Sequence, residues 1–461
     1  MGQPGGNPVS LLRQARQTWQ TWRQDRLLQL VTRNSGYLFS SNGISSVITA
    51  AQGFMAAVLL GPSDFAVLGM VITYASSVNR LLSFRMGELV IKYSGQYLAV
   101  GRKDQAAAVI KAAGSTEAVT SVLAYLLLVL SSQLAAVYII KDLPTQSWIN
   151  FYAVALLLNL MTETSTAVLQ VGGHFRSQAM LNLVQSVVTG VWILVVFVTH
   201  GGLYQVLVAY LAGKAVFGLG VMALAFYWMK PLLGEDWWRA PLTLLPRRRE
   251  LLSFAISTNL SGTINMIFRD SEVLWVGFFT TKLQAGYYKF ALAAMNVVLM
   301  PVTAILSSSY PEVNRLVAVK AWGQLRRLLR RTSIMALAWT GACTLGIGTL
   351  GYFLLAHLKQ GAYLPSFPAI LILLAGYGVA NVAYWNRPLL LAFGLPLFPM
   401  NVTAAVGAVK TALMFVLVSP LGFLAEAALL SGYLAISVTI IVQRGLKVLR
   451  ESENAPVPVV E

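Results

Sequence analysis

The stretch "LLGPSDFAVLG", residues 59–69, is a Gly-Pro turn held between two apolar runs. Shifting the chain by about 220 residues lays it on "FTTKLQAGYYK", residues 279–289, a second short turn in an equivalent apolar setting. The same shift lays "GRKDQAAAVIK", residues 101–111, on "AWGQLRRLLRR", residues 321–331, two basic helical segments that each precede an apolar run. The chain is therefore read as two halves of one pattern. Working outward from these turns, apolar runs of about 20 residues, long enough at 1.5 Å per residue to cross a bilayer, recur along nearly the whole sequence. Twelve are expected: 35–60, 65–84, 115–140, 148–170, 179–199, 203–229, 251–279, 284–309, 333–356, 366–386, 396–418 and 422–443, the long seventh kinked or tilted.

Composition agrees with a polytopic membrane protein: 57% of the 461 residues are hydrophobic and only 11% are charged, against roughly 25% charged in soluble domains. The formal charge of +17 is a topology signal, not a nucleic-acid footprint. Lys and Arg collect on one set of connections, including "KPLLGEDWWRAPLTLLPRRRE" at 230–250, and the opposite set holds Lys141, Lys282 and Lys359. The positive-inside rule then places both termini in the cytoplasm. The expected organisation is a basic amphipathic interfacial segment 1–33, an N-lobe 34–229, a linker 230–250, a C-lobe 251–450 and a disordered tail 451–461. Six spans per half give the halves the same orientation, related by a pseudo-twofold axis along the membrane normal, and parallel repeats of this kind bind substrate where they meet.

Three His in loops and a lone Cys343 offer no metal cluster and no disulfide. "LAGKA" around Lys214 lacks the flanking Gly and Ser/Thr of a phosphate-binding loop. No cofactor is expected. The outer connections are about ten residues or fewer, too short to carry the catalytic loop of a membrane glycosyltransferase or polymerase, so the chain is read as a carrier, not an enzyme.

Five cations fall inside spans: Arg80, Lys214, Arg269, Lys289 and Lys410. A charge at the centre of a spanning helix costs roughly 2.5–3.5 kcal/mol on insertion scales, so each needs a partner or a polar lumen. They form the expected substrate-binding set for an anion. Three span acids, Glu163, Asp270 and Glu272, are expected to couple to H+ or Na+ or to pair with the cations; Glu117 and Glu426 sit near span ends. Glu272 stands three residues from Arg269 and is placed to pair with it, and Lys289 is placed to reach Glu272 across the turn. The first span, "SGYLFSSNGISSVITAAQGF", is rich in Ser, Asn and Gln and is expected to line water.

"LLGPSDFAVLG", "MGELVIKYSGQYLAVGRKDQA" (86–106) and "RDSEVLWVGFFTTKLQAGYYKFALAAMNVVLMPV" (269–302) resemble the polysaccharide flippases of the MOP superfamily, the Wzx-type O-antigen and capsule flippases, which are related to the MATE drug exporters. The resemblance runs nearly the full length in span number and spacing, and departs at "GFLAEAAL" (422–429), where Glu426 interrupts a small-residue run. It implies an all-α fold of about twelve transmembrane helices in two six-helix lobes, V-shaped around a central cavity. It also implies alternating-access transport of a polyprenyl-diphosphate-linked oligosaccharide across a bacterial cytoplasmic membrane by a monomer. The competing reading from the residues is a cation-coupled exporter of small cationic molecules, with Glu163, Asp270 and Glu272 as its binding acids.

Overall fold

A computed structural model describes residues 26–83, 86–245, 251, 259, 263–264 and 266–454. The described residues contain helices and turns and no strand. Ten segments are long and apolar enough to cross a membrane. The first, Ser41–Leu82, holds two of the expected spans, because 42 residues exceed the roughly 20 that one crossing needs. Within α1 (Arg26–Leu82) the chain breaks at Gly61, whose φ of 77° is open to glycine, and Pro62 removes the next N–H donor. The remaining segments are α2 (Lys103–Leu134), α3 (Thr145–Leu158) with α4 (Thr162–Val171), α5 (Phe175–Val198), α6 (Leu203–Leu233), α8 (Lys282–Ala318), α9 (Trp322–His357), α10 (Phe367–Val382) with α11 (Asn386–Ala392), α12 (Leu397–Leu421) and α13 (Phe423–Asn454). The seventh expected span is described from Met266 onward, as a π-helical turn (Met266–Asp270) and α7 (Glu272–Phe279) separated by a kink at Ser271. These elements account for eleven of the twelve spans read from the sequence and for the second half of the seventh.

Several boundaries differ. Residues 26–33, expected at the membrane interface, continue the first spanning helix, and residues 1–25 lie outside the described set. The basic segments before α2 and α9 are not separate helices but the first turns of these helices. The last helix runs to Asn454, four residues into the expected tail, and residues 455–461 lie outside the described set. The fourth and tenth spans are each interrupted, at residues 159–161 and 383–385. These breaks are about 220 residues apart, so the repeat extends to local backbone irregularity.

Exposed Leu, Val and Phe side chains, such as Leu130, Leu134, Leu345 and Val416, cover the outside, as a lipid-facing surface requires. The polar side chains of the first span divide between two environments. Ser41 and Gln52 are buried and donate to the carbonyls of Ala179 and Ser186 on α5 at 2.6 and 2.7 Å, while Asn182 donates to Asn42 at 2.9 Å. Some of its polar side chains thus join two helices, while Asn42, Ser46 and Thr49 are exposed.

The apolar cores show how the lobes meet. One cluster joins both lobes around the 59–69 and 279–289 turns, with Phe65 and Met70 beside Val276, Ala285 and Tyr363. Toward the arginine-rich face each lobe keeps its own core, around Val109 and Met229 in one and around Leu316 and Leu325 in the other. The protein is closed at the turn face. Its three lysines all bridge lobes there: Lys141 donates to the Thr280 carbonyl at 2.6 Å, Lys359 to the Leu59 carbonyl at 2.6 Å, and Lys282 pairs with Asp142 at 3.3 Å. Each carbonyl ends a helix of the opposite lobe, where a cation is favoured by the helix dipole. Tyr363 adds a hydrogen bond to the Ala57 carbonyl at 2.8 Å.

Candidate functional site

The span charges separate into three places. In the C-lobe, Lys410 on α12 lies between Glu272, the first residue of α7, and Glu426 in the first turn of α13, at 2.6 and 2.8 Å. Their side-chain exposures are 5%, 1% and 0%, which removes all three from any aqueous path. Lys410 donates to Glu272 and to the Phe268 carbonyl, the latter at 3.2 Å, and Tyr288 donates to Glu272 at 2.7 Å. Two expectations therefore fail: Lys410 does not face a lumen, and Glu272 pairs with neither Arg269 nor Lys289. The π-helical turn is the physical reason for the first mispairing. It inserts a residue before Ser271, whose N–H bonds the Met266 carbonyl at 3.0 Å, and so carries Arg269 off the face that Glu272 occupies. Lys289 has no hydrogen bond or ion pair among the described residues, and its methylene chain lies against Gly69 of α1, where a Cβ would sit 2.9 Å from it.

The second place is the cleft between the lobes. Arg80, near the end of α1, forms an ion pair across the cleft with Asp270 of the seventh span, each side chain a little under half exposed (43% and 45%). Arg269, the neighbour of Asp270, is exposed. Its guanidinium stands by Tyr377 of α10, within its own lobe.

The third place is a cavity of about 220 Å³ inside the N-lobe, lined by Ser76, Asn79 and Ser83 of α1, Glu117 of α2, Tyr152, Asn159 and Glu163 around the α3–α4 break, and Lys214 of α6. Glu163 accepts from the Ser83 hydroxyl at 3.2 Å. Glu117 caps α4, accepting the backbone N–H of Glu163 and of Thr164 at 2.8 Å each. Lys214 makes no hydrogen bond or ion pair among the described residues. The sequence placed Lys214 and Glu163 in spans but gave no sign that they share a cavity. Glu117 and Glu426, set aside as near span ends, are both buried, the first bonded to the α4 backbone and the second ion-paired with Lys410. No group of His, Cys, Asp and Glu suited to a metal ion occurs among the described residues.

Residues 55–333 match the family described as polysaccharide biosynthesis protein. The chain belongs to that family. A curated relative, the inner membrane protein YghQ of Escherichia coli (strain K12), is 25% identical over 308 residues, covering 64% of this chain and 83% of that protein. Among solved structures, an inward-facing conformation of a multidrug resistance MATE family transporter of the MOP superfamily superposes with a TM-score of 0.72 at 11% identity, over 90% of this chain and 96% of that one. An outward-facing conformation of a multidrug resistance MATE family transporter scores 0.59, at 11% identity over 92% of this chain and 96% of that one. The fold is that of the MOP superfamily transporters, and this member of the polysaccharide biosynthesis family is a multi-pass membrane protein in that fold.

Proposed function

We propose that the protein is a flippase that carries a polyprenyl-diphosphate-linked oligosaccharide from the cytoplasmic to the outer leaflet of a bacterial inner membrane by alternating access. In this reading the arginine-rich face is cytoplasmic, with both termini inside, and the conformation described is the inward-open one. The observation that carries it is the Arg80–Asp270 ion pair, which joins the lobes across the cleft with Arg269 exposed in the same turn as Asp270. Guanidinium binds phosphate through two parallel N–H···O bonds, roughly twice as strong as neutral hydrogen bonds. Asp270 holds Arg80 when the site is empty, and a diphosphate replaces it. The prenyl tail stays in lipid while the lobes rock about the headgroup. The family match to polysaccharide biosynthesis and the inner-membrane relative support the same substrate class. Lys214 and Lys289 are further cations with unspent donors; Lys410 is not in the set.

A second reading, cation-coupled export of small molecules, draws on the MATE-like fold and on the exposed carboxylates of Glu163 and Asp270. Complementation of surface glycan in a flippase-null strain, with membrane abundance checked for each variant, separates the two. Arg269→Lys is expected to export weakly, Arg269→Ala and Arg80→Ala hardly at all, and Arg269→Glu worst. Asp270→Asn is expected to keep substantial export, since it releases Arg80 for phosphate. Loss of export in Asp270→Asn with wild-type export in Arg269→Ala would reverse the assignment in favour of the exporter.

A further inference from the structure

We propose that the N-lobe cavity is a sugar subsite, which takes the first pyranose ring of the lipid-linked glycan while the diphosphate occupies Arg80 and Arg269. The proposal rests on the flippase reading and adds to it a binding place and a ligand class.

The backbone of the fourth span is deliberately opened at this cavity. The α3–α4 break leaves peptide groups that a straight helix would pair, and irregular backbone at membrane depth persists only where protein packs on it or it lines water. Here the break is braced on three sides. Asn159 donates to the Ala155 carbonyl at 2.7 Å, and Thr162 donates to Asn159 Oδ1 at 3.1 Å. The Glu117 carboxylate holds the first N–H groups of α4, and Gly218 of α6 lies so near that a Cβ there would meet the Leu158 carbonyl at 2.3 Å. In transporters with broken helices, the half-helix ends mark the substrate site.

The polar side chains that line the space define the ligand. Glu117 is committed to the backbone, which leaves the Lys214 ammonium and the Glu163 carboxylate facing the same space, with Asn79 and Ser83 between them. One cation and one anion make a poor site for a diphosphate, which would meet Glu163, and an equally poor site for an organic cation, which would meet Lys214. A sugar ring satisfies both. Each hydroxyl donates to a carboxylate and accepts from an ammonium or an amide, and Tyr152 with its apolar neighbours offers a wall for the ring's C–H face. The volume admits one ring and not an oligosaccharide. Ser83, which lines the cavity, stands one helical turn from Arg80, so a phosphate on Arg80 delivers the attached sugar to the cavity mouth.

The test uses the full-length protein, purified in detergent, carrying Ser76→Cys in a Cys343→Ala background, because Ser76 lines the cavity and is exposed. Its alkylation by a maleimide is followed with rising concentrations of free N-acetylglucosamine, glucose or galactose, of inorganic pyrophosphate, and of tetraphenylphosphonium. At least one free sugar is expected to slow alkylation in a saturable way, with neither ion doing so. Lys214→Met is expected to raise the half-protecting sugar concentration about tenfold, the equivalent of about 1.4 kcal/mol, and Lys214→Arg to recover most of it. Protection by pyrophosphate alone, by tetraphenylphosphonium alone, or by none of the probes would overturn the proposal. Sugar protection in a protein that fails to complement a flippase-null strain would keep the subsite and sink the flippase reading. Complementation without sugar protection would sink the subsite alone.

Discussion

Lys410 shows what a charge inside a span demands. Its ammonium donates to the Glu272 carboxylate and the Phe268 carbonyl and ion-pairs with Glu426, and the group is nearly sealed from solvent. Removing one partner of such a cluster leaves the others buried and unpaired, at a cost of about 3–5 kcal/mol. Lys410→Met is therefore expected to lower membrane abundance and the melting temperature of the purified protein, whereas Lys410→Met with Glu426→Leu and Glu272→Gln, which removes every charge together, recovers much of both. A stable, fully abundant Lys410→Met protein that cannot export glycan would instead mark Lys410 as a substrate ligand. The sequence exposed this lysine as a charge needing company but not its company, because both acids arrive on other helices. One signal was available: Glu272 lies 8 residues before the turn at Thr280 and Lys410 lies 11 before that at Leu421, depths of about 12 and 16 Å at 1.5 Å per residue. Comparing depths would have matched them. Glu426 could not be found so, since four residues from its turn it reads as a span-end acid.

At the scale of elements, the tightest backbone approach between the lobes falls at the two turns from which the fold was read. A Cβ on Gly286 of α8 would lie 1.9 Å from the Pro62 carbonyl of α1, backbone against helix, with no flexible side chain to give way. That contact exists only while the turn face is closed. Gly286→Ala is thus expected to disfavour closure and shift the population toward the outward-open state, and a ligand-free shift of this kind is a difference in state stability alone. Met70, fully buried between the lobes in the closed form, reports it: Met70→Cys in a Cys343→Ala background should react faster with an impermeant thiol reagent from outside when Gly286→Ala is added. Equal reactivity with and without Gly286→Ala would show that the approach tolerates a methyl and does not set the equilibrium. The spans themselves were legible because length and hydropathy are local properties, and so was the repeat. The breaks in spans four and ten were not, for want of a proline at their centres. What they share is an asparagine in an apolar run, Asn159 and Asn381, whose amides bond the Ala155 carbonyl and the Thr340 hydroxyl. Such side chains compete with the helix for its own backbone, and that competition is decided by neighbours the sequence does not reveal.

At the scale of the whole molecule, the two faces are held by different means. The turn face joins the lobes through a continuous apolar core and three lysine bridges, while at the arginine-rich face each lobe packs on itself. Transport in the outward direction requires that the first arrangement be undone. Separating the shared core exposes apolar surface at about 25 cal/mol per Å², and the bridges release three ammonium groups to water, so the step needs an offsetting gain. In the proposed flippase cycle, substrate in the cleft supplies it by drawing Arg80 and Arg269 together on one diphosphate, closing the arginine-rich side as the other opens. A negative-inside potential then assists outward movement of the anion by about 2.3 kcal/mol per charge per 100 mV. The bridge between Asp142 and Lys282 lies at the turn face and tests this cycle directly. Asp142→Cys with Lys282→Cys, in a Cys343→Ala background, can be joined by a short bis-methanethiosulfonate reagent that reductant cleaves. Joined, the protein is expected to lose glycan export, and reductant is expected to restore it, with neither single cysteine showing the effect. Undiminished export by fully joined protein would mean that the lobes do not part at this face, and alternating access about the Arg80–Asp270 cleft would have to be given up.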